Sequence, residues 1–186
     1  MIARAPEGAD LHSLVGHRTV PAMVELAITY ADDACAIGTL AHVCAVIWRG
    51  ECTVARTDEW VRASRDLARR LGTPIAVLAI VTEGAPAPPS AVRTVQGRFL
   101  EDLSRTALAA GVIVDGVGFR AGLVRAVVAS VSALARYKCP FRVVATDAEM
   151  ARWLQERSAS LPSGAVRALD HELLSFLAAL RARLAG

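Results

Sequence analysis

The stretch DGVGFRAG, residues 115–122, combines a carboxylate, closely spaced glycines and a guanidinium. Such a stretch can wrap a phosphate with backbone amides, present charged side chains to a partner, or simply turn the chain. If it carries a function, we expect the binding residues to be Asp115, Gly116, Gly118, Phe119, Arg120, Gly122 and Arg125.

The spacing of these glycines is that of a relaxed dinucleotide-binding motif. Gly116-x-Gly118-x-x-Ala121 lies between a predicted strand and a predicted helix, which is the context that the motif requires. Asp147 ends the next predicted strand, where an acid can hold a ribose. Asp115, however, places a negative charge where a pyrophosphate would lie. Nucleotide binding is therefore an alternative, and the sequence itself predicts no cofactor.

Catalytic groups are scarce around this stretch. No Ser, Thr or Cys follows Asp115 until Ser130, and His42 falls within an apolar run that predicts a core histidine. The chain has four cysteines without metal-ligand spacing, Cys35, Cys44, Cys52 and Cys139. We expect buried thiols and no metal site. The sequence favours a non-enzymatic protein and leaves catalysis open, because sites assemble from distant residues.

Composition excludes several classes of protein. The 186 residues are 54% hydrophobic and 21% charged, which is typical of a folded domain. The net charge is +3, and acidic residues lie beside each basic cluster, so we expect no nucleic-acid partner. The N-terminus lacks the apolar core of a signal peptide, and no apolar run is long enough to span a bilayer. We therefore expect a cytoplasmic protein.

Apolar runs alternate with amphipathic segments along most of the chain. The predicted strands are Ile75–Val81, 110–114 and Phe141–Thr146, with 23–30 as a strand or short helix and 34–48 as one bent strand or a hairpin broken near Gly38. The predicted helices are 57–72 capped by Thr57, a helix capped by Ser90, 120–136, and 148–158 capped by Asp147. This alternation predicts an α/β fold with a mainly parallel or mixed sheet covered by helices.

Three regions divide the chain. We expect a loose arm over 1–20, an α/β domain over 21–158, and a linker with a C-terminal amphipathic helix over 159–186. The last helix carries an apolar stripe of Val166, Leu169, Leu173, Phe176, Leu177, Leu180 and Leu184. That stripe must be covered, either by the chain's own domain or by a second copy in a homodimer through Val166–Leu184.

Residues 41–156 resemble a STAS domain, the fold of anti-sigma-factor antagonists and of the cytoplasmic tails of sulfate transporters. AVIWRGECTVARTDEWVRASRDLAR resembles that family's opening strand, glycine-acid turn and first helix. VIVDGVGFRAGLVRAVVASVSAL resembles its central strand and following helix, and FRVVATDAEMARWLQ its closing strand and helix. The resemblance implies a STAS-like fold and a regulatory role.

Two departures from that family bear on function. An extra strand-and-helix unit lies at about 74–110, and no serine follows Phe119 in the segment where regulated members are phosphorylated. We therefore expect a protein-interaction module that docks its partner with Phe119 as an anchor and with Arg120 and Arg125 giving orientation. A small-ligand binder is the alternative, with a nucleotide at the glycine turn or a lipid in an apolar cavity, as in SEC14-like proteins.

Overall fold

A computed structural model describes residues 26–105, 107–118, 121–122, 125–126, 128, 138–158 and 169–184. Its elements are β1 (Ala27–Ala31), β2 (Cys35–Leu40), β3 (Val43–Trp48), α1 (Val54–Leu71), β4 (Ala76–Val81), α2 (Ser90–Leu103), β5 (Ala109–Val114), β6 (Phe141–Val144), α3 (Asp147–Ser158) and α4 (Leu169–Arg183). The predicted α/β class is confirmed. The predicted arm over 1–20, the linker at 160–164 and most of the predicted helix 120–136 lie outside the described residues.

The described strands form one mixed sheet of six, in which the order in space equals the order along the chain. β1 pairs with β2, and β2 with β3, in antiparallel fashion. From β3 to β6 every neighbouring pair is parallel. The sheet is therefore mixed and mostly parallel, as the strand pattern predicted.

This strand order explains why the helices lie on opposite faces. α1 and α2 connect parallel neighbours while the chain moves in one direction across the sheet, and right-handed crossovers of that kind share a face. Trp60 of α1 and Phe99 of α2 lie in the core of this face. α3 and α4 follow the last strand and cover the opposite face, where Met150 and Phe176 are fully buried.

The C-terminal helix α4 belongs to the core of the domain. Its buried residues are Leu173, Phe176, Leu177 and Leu180, followed by Leu184. At Gly38 of β2, an added Cβ would lie 3.0 Å from Phe176 and 3.2 Å from Leu180, so the missing side chain lets α4 approach the sheet. The stripe from Leu173 to Leu184 is thus covered within its own chain, and the homodimer stays a prediction. Val166 lies outside the described residues.

The hairpin between β2 and β3 turns at Ala41 and His42. The predicted hairpin is confirmed, but the predicted place of its break was wrong, because Gly38 stays in the strand and pairs with Ala45. Ala41 takes the positive φ of 48° that the tight turn requires. Its conformation is imposed by the pairing of the flanking strands, a non-local effect that residue type alone does not reveal.

The predicted cap of α1 was wrong by one turn. Thr53 precedes the helix, and its hydroxyl accepts a hydrogen bond from the backbone N–H of Arg56 at 3.2 Å. Thr57 lies inside the helix, where its hydroxyl donates to the carbonyl oxygen of Thr53 at 2.9 Å. Two threonines four residues apart offer the same local signal, and burial of Thr57 against the sheet decides between them.

Two other helix starts differ slightly from prediction. α2 begins at Ser90 itself, after Pro89, and shows no side-chain cap. α3 begins at Asp147, and Thr146 supplies the cap: its hydroxyl accepts from the N–H of Glu149 at 3.2 Å. The Glu149 carboxylate accepts in return from the N–H of Thr146, also at 3.2 Å, which completes a capping box.

Candidate functional site

The glycine turn, residues 115–118, lies at the carboxyl edge of the parallel strands. It follows β5 directly, and the N–H of Asp115 donates to the carbonyl oxygen of Val81 at the end of β4, at 2.9 Å. Gly116 and Gly118 have φ values of 97° and 86°, which side-chain-bearing residues rarely adopt. The prediction that these glycines turn the chain is confirmed.

Arg181 of α4 holds the first residue of this turn. Its Nη1 and Nη2 donate to the two carboxylate oxygens of Asp115, the Nη2 bond being 2.9 Å long. The Nε and Nη2 of the same guanidinium donate to both oxygens of Asp147, at 3.0 and 2.7 Å. Paired bonds of this kind fix orientation as well as distance. The hydrogen bonds to Asp147 and Asp115 raise the pKa of Arg181 above its ordinary value, so the clamp is charged.

Arg125 also bonds the turn, at its backbone. Its Nη1 donates to the carbonyl oxygens of Val114 and Gly116, at 3.1 and 3.3 Å. The guanidinium is partly buried by these contacts and ties the end of β5 to the turn. A binding role for Arg125 stays a prediction, and its observed contacts are structural.

Val117 lies at the tip of the turn and is 89% exposed, more than any other large hydrophobic residue described. No described atom lies within 4 Å of the position that a Cβ on Gly118 would take. On the other side, a Cβ on Gly116 would lie 3.2 Å from the carboxyl carbon of Glu83. The turn therefore projects an apolar side chain from a base that hydrogen bonds hold in place.

The charges at this edge disfavour phosphate binding. Glu83, Asp115 and Asp147 place carboxylates around the turn, and Arg181 already directs its guanidinium at two of them. A phosphate beside Gly116 would meet the carboxylate of Glu83. Within the part of the chain that the structure describes, no His, Cys, Asp and Glu side chains form a group of three able to hold a metal.

His42 and the cysteines lie away from this edge or deep in the core. The carbonyl oxygen of His42 accepts from Ala76, the first residue of β4, so this histidine lies in the hairpin turn at the amino edge and not within a strand as predicted. Its Nδ1 is buried with no hydrogen-bond partner among the described residues, and burial lowers its pKa. All four cysteines are buried and free, as predicted. Burial raises the pKa of both Cys35 and Cys44 to about 12.

A second polar cluster lies where β1 turns into β2. Asp32 Oδ1 accepts the N–H groups of Ala34 and Cys35, both at 2.8 Å, and Oδ2 accepts from Tyr30 and from Arg56 of α1, both at 2.7 Å. Partial burial by itself would raise the pKa of Asp32. The hydrogen bonds, led by that from Arg56, outweigh burial and hold the pKa well below its ordinary value. The cluster fastens α1 to the β1–β2 turn.

Five of the seven predicted binding residues are described: Asp115, Gly116, Gly118, Gly122 and Arg125. The first three form the turn, and Gly122 and Arg125 follow it in helical conformation. Phe119 and Arg120 lie outside the described residues. The sequence prediction missed Arg181, and no local pattern singles it out, because its partners Asp115 and Asp147 lie 66 and 34 residues away along the chain.

These features define an α/β protein with a mixed, mostly parallel sheet and a braced glycine turn at its carboxyl edge. The chain matches no family model, and neither a curated protein nor a solved structure matches it significantly. The resemblance to STAS domains is therefore supported only at the level of the mixed α/β sheet. None of the described helices is long and apolar enough to cross a membrane.

Proposed function

We propose that this chain is a non-enzymatic, cytoplasmic module of STAS-like type that docks a protein partner at the glycine turn and the residues that follow it. Its regulatory role comes from the resemblance to STAS domains. The docking surface comprises Asp115, Gly116, Val117, Gly118, Phe119, Arg120, Gly122 and Arg125.

The observation that carries this proposal is the exposure of Val117, at 89%, on a turn whose base is braced. A single exposed valine is ordinary on a protein surface. Here, however, Arg181 bonds the carboxylate of Asp115 and Arg125 bonds the carbonyl oxygen of Gly116, so the two residues before Val117 are held in place. A surface that is already ordered loses little conformational entropy on binding, which favours affinity. Val117 can then bury its apolar side chain against the partner, in addition to the predicted anchor Phe119.

The contacts of the charged groups favour docking over the small-ligand alternative. Both oxygens of Asp115 are engaged by Arg181, so this carboxylate is poorly placed to act as a general base. Glu83 would repel a nucleotide phosphate at Gly116. A lipid would have to displace apolar side chains, because the described strands are packed against helices on both faces.

Affinity capture with chemical cross-linking in the native host tests the proposal. Val117→Asp places a charge at the tip of the turn, and Leu174→Asp makes the same change at an apolar position of α4 that is 39% exposed. Circular dichroism first verifies that both variants fold. We expect at least one protein to be recovered with wild type and Leu174→Asp and lost with Val117→Asp. If no protein shows this pattern, the docking role of the turn is refuted.

Thermal-shift measurements distinguish protein docking from the alternative function, which is small-ligand binding. Nucleotides and fatty acids are titrated against the wild-type chain, and a ligand that binds only the native state must raise its melting temperature. We expect no saturable rise with either class. A saturable rise of several degrees with one of them would transfer the proposed function to small-ligand binding.

A further inference from the structure

Arg181 connects three parts of the molecule that are distant in sequence. It lies on α4, 66 residues from Asp115 in the glycine turn and 34 residues from Asp147 at the start of α3. All three side chains are largely shielded, with exposures of 29% for Arg181 and 23% for each aspartate. Shielding from water strengthens ion pairs of this geometry.

We propose that Arg181 is the positioning residue of the glycine turn. Through Arg181, the conformation of this turn depends on how α4 packs against the sheet. This regulatory role rests on the proposed function, since docking is what makes the conformation of the turn matter. The chain would then bind its partner fully only when its C-terminal helix is in place.

The position of α4 decides whether Arg181 can reach the turn. Phe176 and Leu180 seat the helix over Gly38, and Arg181 follows directly after them. A slip of one residue moves a helix by about 1.5 Å and rotates it by about 100°. Such a slip would carry the guanidinium out of hydrogen-bond distance of Asp115. The ion pair between Arg181 and Asp115 therefore forms only when α4 packs in its observed register.

Among the described residues, the other hydrogen bonds to the turn come from Arg125 and from the Asp115 N–H to Val81, and they hold its backbone next to β5. Gly116 and Gly118 give its backbone a wide conformational range. Without the guanidinium, the carboxylates of Asp115 and Asp147 would face each other and the nearby Glu83 with reduced counter-charge, and like charges repel. We expect loss of Arg181 to open the turn while Arg125 still holds the end of β5.

Amide hydrogen exchange of the full chain tests this role without a partner. Arg181→Met and Asp115→Asn remove the pair at the turn, whereas Asp147→Asn leaves it in place. We expect exchange over residues 114–118 to rise about threefold to tenfold in the first two variants and to stay near wild type in Asp147→Asn. Arg181→Lys, which keeps the charge and loses the paired bonds, should fall between. Equal effects of Arg181→Met and Asp147→Asn would mean general destabilisation and would overturn the positioning role.

A matched pair of core variants tests the dependence on helix seating. Phe176→Leu loosens α4, and Phe99→Leu makes the same change in α2 on the opposite face of the sheet. We expect Phe176→Leu to raise exchange both in α4 and in residues 114–118. We expect Phe99→Leu to raise exchange in α2 and to leave exchange in residues 114–118 unchanged. If Phe176→Leu loosens α4 and leaves the turn protected, helix seating does not control the turn.

Cross-linking capture with Arg181→Met then separates this role from docking itself. If exchange over 114–118 rises and recovery of the Val117-dependent protein falls, both are supported. If exchange rises and recovery of that protein is unchanged, Arg181 positions the turn but does not control docking, and the regulatory role is overturned. If exchange does not change, the positioning role fails whatever the capture shows.

Discussion

Asp32→Asn is a sharp test of how the β1–β2 turn is held to α1. The substitution keeps the shape of the side chain and its Oδ1 acceptor, so the bonds from Ala34 and Cys35 can persist. It replaces the oxygen that accepts from Tyr30 and Arg56 with an amide group that donates. Two N–H groups cannot bond each other, so the link to Arg56 is lost.

The magnitude follows from the lost contact and from its exposure. A hydrogen bond to a charged group contributes about 1.5 to 3 kcal/mol to stability. The Asp32 and Arg56 side chains are 23% and 20% exposed, so water weakens their attraction. We therefore expect Asp32→Asn to lower the free energy of unfolding by about 1 to 2 kcal/mol at pH 7. Urea unfolding followed by fluorescence of the three tryptophans measures the loss.

The stability lost in Asp32→Asn should also depend on pH, and the pKa shift of Asp32 sets the direction of that dependence. The folded pKa of Asp32 lies below its unfolded value, which is about 3.9 for a free aspartate. Between these values the unfolded chain holds a proton that the folded chain lacks, so stability rises with pH in that window. The difference between wild type and Asp32→Asn should be constant from pH 8 to about pH 5, and should shrink as the pH falls below about 4.

Asp33 provides the matched control. It bonds the same arginine, at 3.0 Å from Arg56 Nη2, but its side chain is 91% exposed. We expect Asp33→Asn to change stability by no more than the error of the measurement, at any pH. The reasoning is refuted if Asp33→Asn costs as much as Asp32→Asn, or if the Asp32→Asn difference is as large at pH 3.5 as at pH 7.

Two further predictions concern the core. Gly111→Ala would place a Cβ 2.6 Å from Met150 Cε, so we expect it to lower the free energy of unfolding by about 1 to 2 kcal/mol in urea unfolding, and to cost less when introduced into a Met150→Ala chain; a Gly111→Ala chain as stable as wild type would contradict this packing. The Cys44 thiol, with a pKa raised to about 12 by burial, should resist thiol-labelling reagents at pH 8 until urea unfolds the chain, and rapid labelling of the native protein would contradict its burial.

Local sequence patterns were sufficient for most elements of the fold. The run Ile75–Val81 predicted the strand observed at Ala76–Val81, and the segment 110–114 predicted β5, observed at Ala109–Val114. The apolar stripe of the last helix correctly indicated a face that must be covered. These features are readable because strand and helix periodicities depend on residues within one or two turns of each other.

Local patterns failed where competing signals were equal. Thr53 and Thr57 are both good caps, and the burial of Thr57 against the sheet determines which one precedes the helix. From sequence alone, Gly38 is a plausible place for the hairpin to break. In the structure, Phe176 and Leu180 of α4 pack so closely over Gly38 that a side chain there would be crowded, which explains a glycine within a strand. Each choice depends on how the residue is packed in the folded chain, which residue type alone does not show.

In the glycine turn, too, one feature follows from the local sequence and another only from the tertiary structure. Its sequence by itself determined that the chain bends after β5, because Gly116 and Gly118 adopt conformations closed to other residues. Only the tertiary structure decided which charge meets Asp115. Arg181 lies 66 residues away and reaches it because α4 returns across the face that the crossover helices leave open. Backbone preference is a local property of residues, whereas the pairing of charges depends on the order of strands and the faces that helices cover.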